Sequence, residues 1–247
     1  MSDKTGAMLK EIEGIIDDGL NPETTCRILQ MLGAGPIASF LLEEARLYSE
    51  FLPKSEELPF TPRMRYLHFL WDALDKLPIA AIANFSIPFR RLIAKRLFKR
   101  CGKNFISEEN VRFNFGQNIE VGDNVFFNRG CFLDSKGGIS LGNSAAFGEG
   151  VFVFTHSHTE SDHVKRNYKP VFFDDYSIAY SFSIILPGVK VGREAIIAAR
   201  AIVTTDVEPG MVVAGSPAKA ARKRSTEGHS GSELNHIWLH RAAFMDE

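Results

Sequence analysis

The chain has 247 residues, of which 45% are hydrophobic and 24% are charged. This composition is typical of globular proteins and excludes collagen-like and wholly disordered classes. Its 29 basic and 30 acidic residues give a formal net charge of -1, which argues against a strongly basic nucleic-acid-binding protein.

The three cysteines form no CxxC pair, so neither a disulfide framework nor a zinc knuckle is indicated. The N-terminal sequence lacks the apolar core of a signal peptide. The longest apolar stretch, near residues 77–89, is too short and too interrupted to span a membrane. We therefore expect a cytoplasmic protein with no integral membrane segment.

Residues 1–104 are predicted to form an α-helical N-terminal region. Apolar side chains recur at helical spacing in four stretches, which cover 7–18, a segment from residue 22, 36–51 and 62–76. The first 59 residues carry eleven acidic and five basic side chains, so the start of this region is acidic.

The segment from Phe85 to Asn104 reverses the sign of the charge, since it holds seven Lys or Arg residues and no acid. Apolar residues alternate with these cations in the pattern of an amphipathic helix. Such a helix can lie on a membrane surface or bind an acidic partner. We favour the simpler interpretation, in which the apolar stripe packs on the protein's own core.

From Val111 onward the helical pattern is replaced by a six-residue repeat. An aliphatic or aromatic residue opens each unit, a small residue follows four positions later, and glycine often comes directly after the first. The thirteen in-frame positions are Phe115, Val121, Phe127, Leu133, Leu141, Phe147, Val153, Phe173, Ala179, Ile185, Val191, Ile197 and Val203.

A period of six suits a triangular solenoid in which each unit supplies one short strand and one corner. Glycine, Asn or Asp at the corners permits the positive φ that tight turns require. This sequence resembles the hexapeptide-repeat acyltransferases, a resemblance that implies a mainly β fold, a left-handed parallel β-helix. We assign 105–224 to that domain, with a protruding loop at about 154–172, and 225–247 to a tail with a short helix.

Three segments are similar to the sugar O-acetyltransferases of the maltose, galactoside and nodulation type. They are the run from Gly122 through Cys131 to Thr159, the run Ile185–Gly192, and the closing run Val212–Lys219. The resemblance implies an acetyl-CoA donor, a sugar or saccharide acceptor, and a homotrimer with active sites between subunits. It implies no metal.

Transfer of an acetyl group to a hydroxyl needs a base, and a neutral imidazole suits that role near pH 7. Two candidates stand two residues apart, His156 and His158. Counting without gaps from Gly142 places His158 on the family's catalytic histidine. His158 is therefore the predicted base and His156 the second choice.

The resemblance also assigns residues to the two substrates. Asn128 and Asp134 would contact the acceptor. Five positions would bind coenzyme A, with the last two holding its phosphates: Ser181, Ala199, Thr204, Lys219 and Arg222.

Four positions depart from the family pattern, and they keep two other functions open. Relatives have tryptophan at Ile178, glycine at Tyr180 and Arg200, and often lysine at Thr205. Arg200 can restore the lost charge, or these side chains can narrow the donor groove. The alternatives are an N-acetyltransferase of an amino-sugar or xenobiotic, and a non-catalytic trimeric β-helix scaffold.

Metal binding is the weakest of the possibilities. The spacing of His158 and His163 resembles the metal pair of γ-class carbonic anhydrases, but no histidine lies between His68 and His156 to complete it. In the tail, His236 and His240 are four residues apart without the glutamate of a zinc-protease motif.

Overall fold

The structure is a computed structural model and describes residues 3–234 and 243–245. The chain divides into two compact units between Leu97 and Phe98. Most of the helix expected in the tail, including His236 and His240, falls at 235–242 and lies outside the described residues.

The first unit contains five α-helices. They are α1 (Asp3–Asp18), α2 (Pro22–Met31), α3 (Ser39–Glu43), α4 (Pro62–Leu74) and α5 (Ala83–Leu97). Two of them begin at side-chain caps, since Asn21 accepts a hydrogen bond from the Thr24 amide and Thr61 accepts one from the Met64 amide. Proline follows each cap at the first helical position, where its missing N–H costs nothing.

The continuous helix expected over 36–51 is wrong. Only α3 and a 3₁₀ turn at Tyr48–Phe51 form there. The carboxylate of Glu50 accepts a hydrogen bond from the Leu47 amide at 3.0 Å and so caps the second turn separately. The Arg65 guanidinium also binds the Glu50 carboxylate, at 2.6–2.7 Å. This ion pair directs the carboxylate away from α3.

The basic segment is a helix only as far as Leu97, and two of its arginines pair with acids of the helical unit. Arg90 is 1% exposed and is paired with Asp75. Arg96 binds Asp17 at 2.5 Å and Glu13 at 2.9 Å. The apolar side chains of Ile93 and Leu97 are at most 2% exposed, as the simpler interpretation of the sequence expected.

The second unit is a parallel β-solenoid of three sheets, which confirms the fold class. The first sheet consists of β1 (Arg100–Cys101), β4 (Ile119–Val121), β7 (Ile139–Leu141), β12 (Val171–Phe173) and β15 (Lys190–Val191). The second consists of β2 (Ile106–Ser107), β5 (Phe126–Phe127), β8 (Ala146–Phe147), β13 (Ile178–Ala179), β16 (Ile196–Ile197), β18 (Met211–Gly215) and the antiparallel β19 (Ala218–Lys223). The third consists of β3 (Arg112–Phe113), β6 (Phe132–Asp134), β9 (Phe152–Phe154), β14 (Ile184–Ile185) and β17 (Ile202–Val203).

The core of the solenoid is the set of positions that opens each six-residue unit. All thirteen are at most 2% exposed, and residues in equivalent positions stack from coil to coil. The rings of Phe127 and Phe147 stack with centroids 5.1 Å apart, and Phe173 meets Phe147 edge-on at 4.7 Å. The repeat thus fixes which side chains fill the axis.

The corners adopt the positive φ that the pattern requires, although not always with glycine. One column of corners contains Gly130 and Gly150, and then Phe182 and Arg200 at φ +61°. Amides bond to carbonyls one coil away along this column, as Phe182 does to Glu149 at 2.8 Å. The coil-to-coil bonds keep the two bulky residues in a conformation that they rarely adopt.

The solenoid begins earlier than residue 105, because the Lys99 amide already bonds to the Ile119 carbonyl at 2.9 Å. Between β9 and β12 the chain leaves the solenoid and forms an antiparallel hairpin of β10 (His156–His158) and β11 (Arg166–Tyr168).

Candidate active site

The two candidate bases lie on one strand, β10, directly after the chain leaves the solenoid at Thr155. The centroids of the His156 and His158 rings are 5.2 Å apart. Since residues two apart on a strand point to the same face, the hairpin presents both imidazoles together. No corner of the solenoid lies between His156 and His158.

Asp134 positions the first imidazole. It is 1% exposed at the end of β6, where the register places it beside Phe154 of β9. One carboxylate oxygen binds Nδ1 of His156, and the other binds Nζ of Lys136 at 2.7 Å. The carboxylate of Asp134 is buried and holds these protein groups, and the acceptor contact expected of it stays a prediction.

Thr155 fixes the point where the hairpin leaves the solenoid. Its hydroxyl donates to the Asp134 carbonyl and accepts a hydrogen bond from the Gly137 amide at 2.7 Å. Thr155 is fully buried, so these bonds tie the hairpin base to the preceding coil. Because His156 is the next residue, these hydrogen bonds also fix its position.

His158 is held by the tip of its own hairpin. Its Nδ1 lies 2.6 Å from the carbonyl oxygen of His163, and the two rings stack with centroids 3.8 Å apart. A carbonyl can only accept, so Nδ1 carries the proton and Nε2 has the free lone pair that a base requires.

Asn128 and the two histidines follow different strands of the solenoid. Asn128 follows β5 at the corner between the second and third sheets, whereas His156 and His158 follow β9, a strand of the third sheet. Between Asn128 and Asp134 the chain turns at Gly130, whose φ is +73°.

The expected donor positions lie on the later coils. Ser181 and Ala199 occupy equivalent corner positions of consecutive coils, since the Arg200 amide bonds to the Ser181 carbonyl at 3.0 Å. Lys219 lines a cavity of about 380 Å³ together with Thr205, the neighbour of the expected Thr204. Asp206 and Glu208 also line this cavity, so its charge is mixed, and the contact of Lys219 with a phosphate stays a prediction.

The cations after Lys219 have separate roles. Arg222 is exposed and donates to the Lys223 carbonyl at 3.0 Å. Arg224 instead donates to the carbonyls of Tyr176 and Glu194 at 3.1 and 3.0 Å, and its burial lowers its pKa. It therefore fastens the end of the solenoid.

Positions that depart from the family pattern lie at the surface. Tyr180 is exposed, and Arg200 is exposed at a corner with φ +61°, the conformation that glycine accepts most readily. Phe182 is 53% exposed in the same column of corners. The corners expected to line the donor groove thus carry larger side chains than glycine-rich corners would offer.

Cys131 is excluded as a nucleophile. It is buried, and burial raises the pKa of its thiol to about 12, so the thiolate is absent near neutral pH.

Two further searches gave negative results for the described part of the chain. Residues 3–234 and 243–245 contain no group of three or more His, Cys, Asp or Glu arranged to hold a metal ion. Over the same ranges, every helix is too short or too polar to cross a bilayer.

Comparison with known proteins identifies relatives. Galactoside O-acetyltransferase of Escherichia coli K12 is 24% identical over 182 residues, which are 67% of this chain and 90% of that protein. The structure of a maltose O-acetyltransferase from Clostridium difficile 630 is 26% identical with a TM-score of 0.55, covering 65% of this chain and 89% of that one. A hexapeptide-repeat acetyltransferase from Vibrio cholerae, solved with acetyl coenzyme A, has a TM-score of 0.59 at 20% identity and covers 74% and 96%. No protein-family model matches the chain.

The parallel solenoid and these relatives define an acyltransferase of the left-handed β-helix class. The chain is similar to the hexapeptide-repeat acetyltransferases in its fold. Within them it is similar to the branch that includes the galactoside and maltose O-acetyltransferases.

Sequence reasoning missed Lys136 and the link from Asp134 to His156. A signal for that link was present, because Leu133 and Val153 are equivalent positions of adjacent coils. Their C-terminal neighbours, Asp134 and Phe154, are paired in the structure. The carboxylate therefore had to lie close to the start of the hairpin.

Proposed function

We propose that this chain transfers an acetyl group from acetyl-CoA to a hydroxyl of a sugar or saccharide, with His158 as the general base. The observation that carries the proposal is the hydrogen bond from His158 Nδ1 to the His163 carbonyl, which leaves Nε2 able to accept a proton. The relatives that are galactoside and maltose O-acetyltransferases support the donor and acceptor classes.

The reaction is a direct transfer in a ternary complex. Nε2 of His158 takes the proton of the acceptor hydroxyl as that oxygen attacks the thioester carbonyl. Backbone amides stabilise the resulting oxyanion, which collapses and breaks the carbon–sulfur bond. The imidazolium returns its proton to the thiolate, so the products are an acetyl ester and free coenzyme A.

The donor is assigned to the later coils. Lys219 beside the cavity and the exposed Arg222 would hold its phosphates, while Ser181, Ala199 and Thr204 would line its path. Binding at this end requires no metal. Asn128 would complete the site from a neighbouring subunit of a homotrimer, because it lies at a different corner of its own solenoid.

The test measures thiol release from acetyl-CoA with a panel of methyl glycosides, maltose and nucleotide sugars. We expect His158→Ala to lower kcat by about 10²- to 10⁴-fold, the usual contribution of a general base. His229→Ala, at an exposed position, is the matched control and should keep full activity. If His156→Ala abolishes turnover while His158→Ala does not, the assignment of the base is wrong.

The exposed Tyr180 and Arg200 favour a second candidate, a non-catalytic trimeric scaffold, because they enlarge the corners along the donor path. Isothermal titration with acetyl-CoA separates the two. Binding supports the enzyme, and its absence supports the scaffold.

A further inference from the structure

The candidate site contains two imidazoles in the same tautomeric state, which is more than a single base requires. His156 donates from Nδ1 to the Asp134 carboxylate, and His158 donates from Nδ1 to the His163 carbonyl. Carboxylate and carbonyl oxygens only accept, so the proton lies on Nδ1 in both rings. Neither Nε2 makes a hydrogen bond to the described part of the chain, and each is a free acceptor.

Lys136 binds the same carboxylate that holds His156. Its ammonium lies 2.7 Å from one Asp134 oxygen and is mostly buried, while the other oxygen binds Nδ1 of His156. With Nδ1 bound to this carboxylate, Nε2 of His156 points away from it.

The positions of the rings match a polyhydroxylated ligand. The two centroids are 5.2 Å apart on one face of β10, and the hairpin partner Tyr168 stacks on His156 at 6.4 Å. Two imidazoles with centroids this far apart are close enough for each to accept a hydrogen bond from a hydroxyl on neighbouring carbons of one sugar ring.

We propose that His156 is an acceptor-binding residue that accepts a hydrogen bond from a second hydroxyl of the sugar that His158 deprotonates. The substrate class is then a saccharide with two neighbouring free hydroxyls. This proposal rests on the proposed function, because His158 must act on the first hydroxyl.

The experiment is a substrate–variant cycle. The methyl glycoside with the highest kcat/KM is compared with its monodeoxy analogues, using the native protein, His156→Ala and the control His229→Ala. We expect one analogue, lacking the second hydroxyl, to lose about ten-fold in kcat/KM with the native protein, mainly through KM. His156→Ala should lose the same factor with the parent glycoside and should no longer distinguish it from that analogue.

Asp134→Asn supplies a second reading with the imidazole still in place. The amide can donate to Nδ1, which moves the ring proton to Nε2 and removes the acceptor. We expect this variant to lose the preference for the second hydroxyl as His156→Ala does. Long-range ¹H–¹⁵N spectra of the labelled imidazoles report the tautomer directly, and circular dichroism reports whether the variant is folded.

The outcomes separate this proposal from the one on which it rests. If no glycoside is acetylated, the proposed function fails. If a glycoside is acetylated but His156→Ala keeps the native discrimination among the analogues, His156 does not bind the second hydroxyl. A loss in kcat alone, equal for every analogue, would likewise contradict acceptor binding by His156.

Discussion

At the scale of single residues, buried carboxylates hold neighbouring side chains in place. Asp134 holds His156 in the solenoid unit, and Glu50 holds Arg65 in the helical unit. Burial alone would raise the pKa of Glu50. The hydrogen bonds from Arg65, from the Leu47 amide and from Arg46 outweigh it and hold the pKa below its usual value.

This lowered pKa predicts acid sensitivity of the helical unit. The charged form of Glu50 contributes stability above the unfolded pKa of about 4.5, and this contribution is lost as the pH falls through the lower folded value. Glu50→Gln should cost about 2–4 kcal/mol at pH 7, because it leaves Arg65 buried without its counter-ion. Urea unfolding, followed by the fluorescence of the buried Trp71, measures this difference, which should shrink below pH 4.5.

Glu11→Gln is the matched control for that measurement. Glu11 pairs with Arg27 on the surface, where both side chains are more than half exposed. Exposed pairs contribute about 0–1 kcal/mol, so this variant should unfold almost as the native protein does. Equal losses of unfolding free energy in the two variants would show that the Glu50–Arg65 pair contributes no more than an exposed pair.

At the scale of elements, the corners decide how the coils stack. Gly150 and Gly130 are neighbours in one column, with φ of +60° and +73°. A Cβ at Gly150 would lie 2.6 Å from Cδ1 of Phe182, whereas at Gly130 the nearest atom is 3.9 Å away. The two glycines thus share a backbone conformation and differ in the space above them.

We expect Gly150→Ala to cost about 1–3 kcal/mol more than Gly130→Ala, because both introduce a side chain at positive φ but only the first overlaps a ring. Differential scanning calorimetry of the two variants measures the difference. Adding Phe182→Ala to Gly150→Ala should recover most of this difference in stability. Equal losses at the two glycines would mean that the Phe182 ring moves away without cost.

These elements also show what could be predicted from the sequence. The axis residues and the corners followed from a period of six, because one short strand and one turn repeat without long-range choice. The helix expected over 36–51 failed, since a single buried carboxylate, Glu50, capped a separate turn. The link from Asp134 to His156 was missed because it joins a coil of the repeat to a residue outside the repeat, a contact that the six-residue spacing alone does not display.

At the scale of the whole molecule, the net charge of -1 conceals strong local charges. The acidic start of the helical unit is balanced by arginines of α5, as Arg96 shows with Asp17 and Glu13. The exposed cations near Arg222 remain available at the end of the solenoid. The total disfavours a nucleic-acid binder, yet it hides the local cationic cluster that is predicted to hold a phosphorylated donor.

The proposed trimer, in which Asn128 and His158 come from different subunits, predicts complementation between subunits. If a trimer forms each site from the histidine of one subunit and the asparagine of the next, His158→Ala and Asn128→Ala should both be weak or inactive alone. Co-expressed in equal amounts and assembled at random, they should recover about a quarter of native activity, because one interface in four joins two native residues. Light scattering after gel filtration checks that the assemblies are trimers. Activity no greater than the mean of the two separate variants would place both residues in one subunit's site.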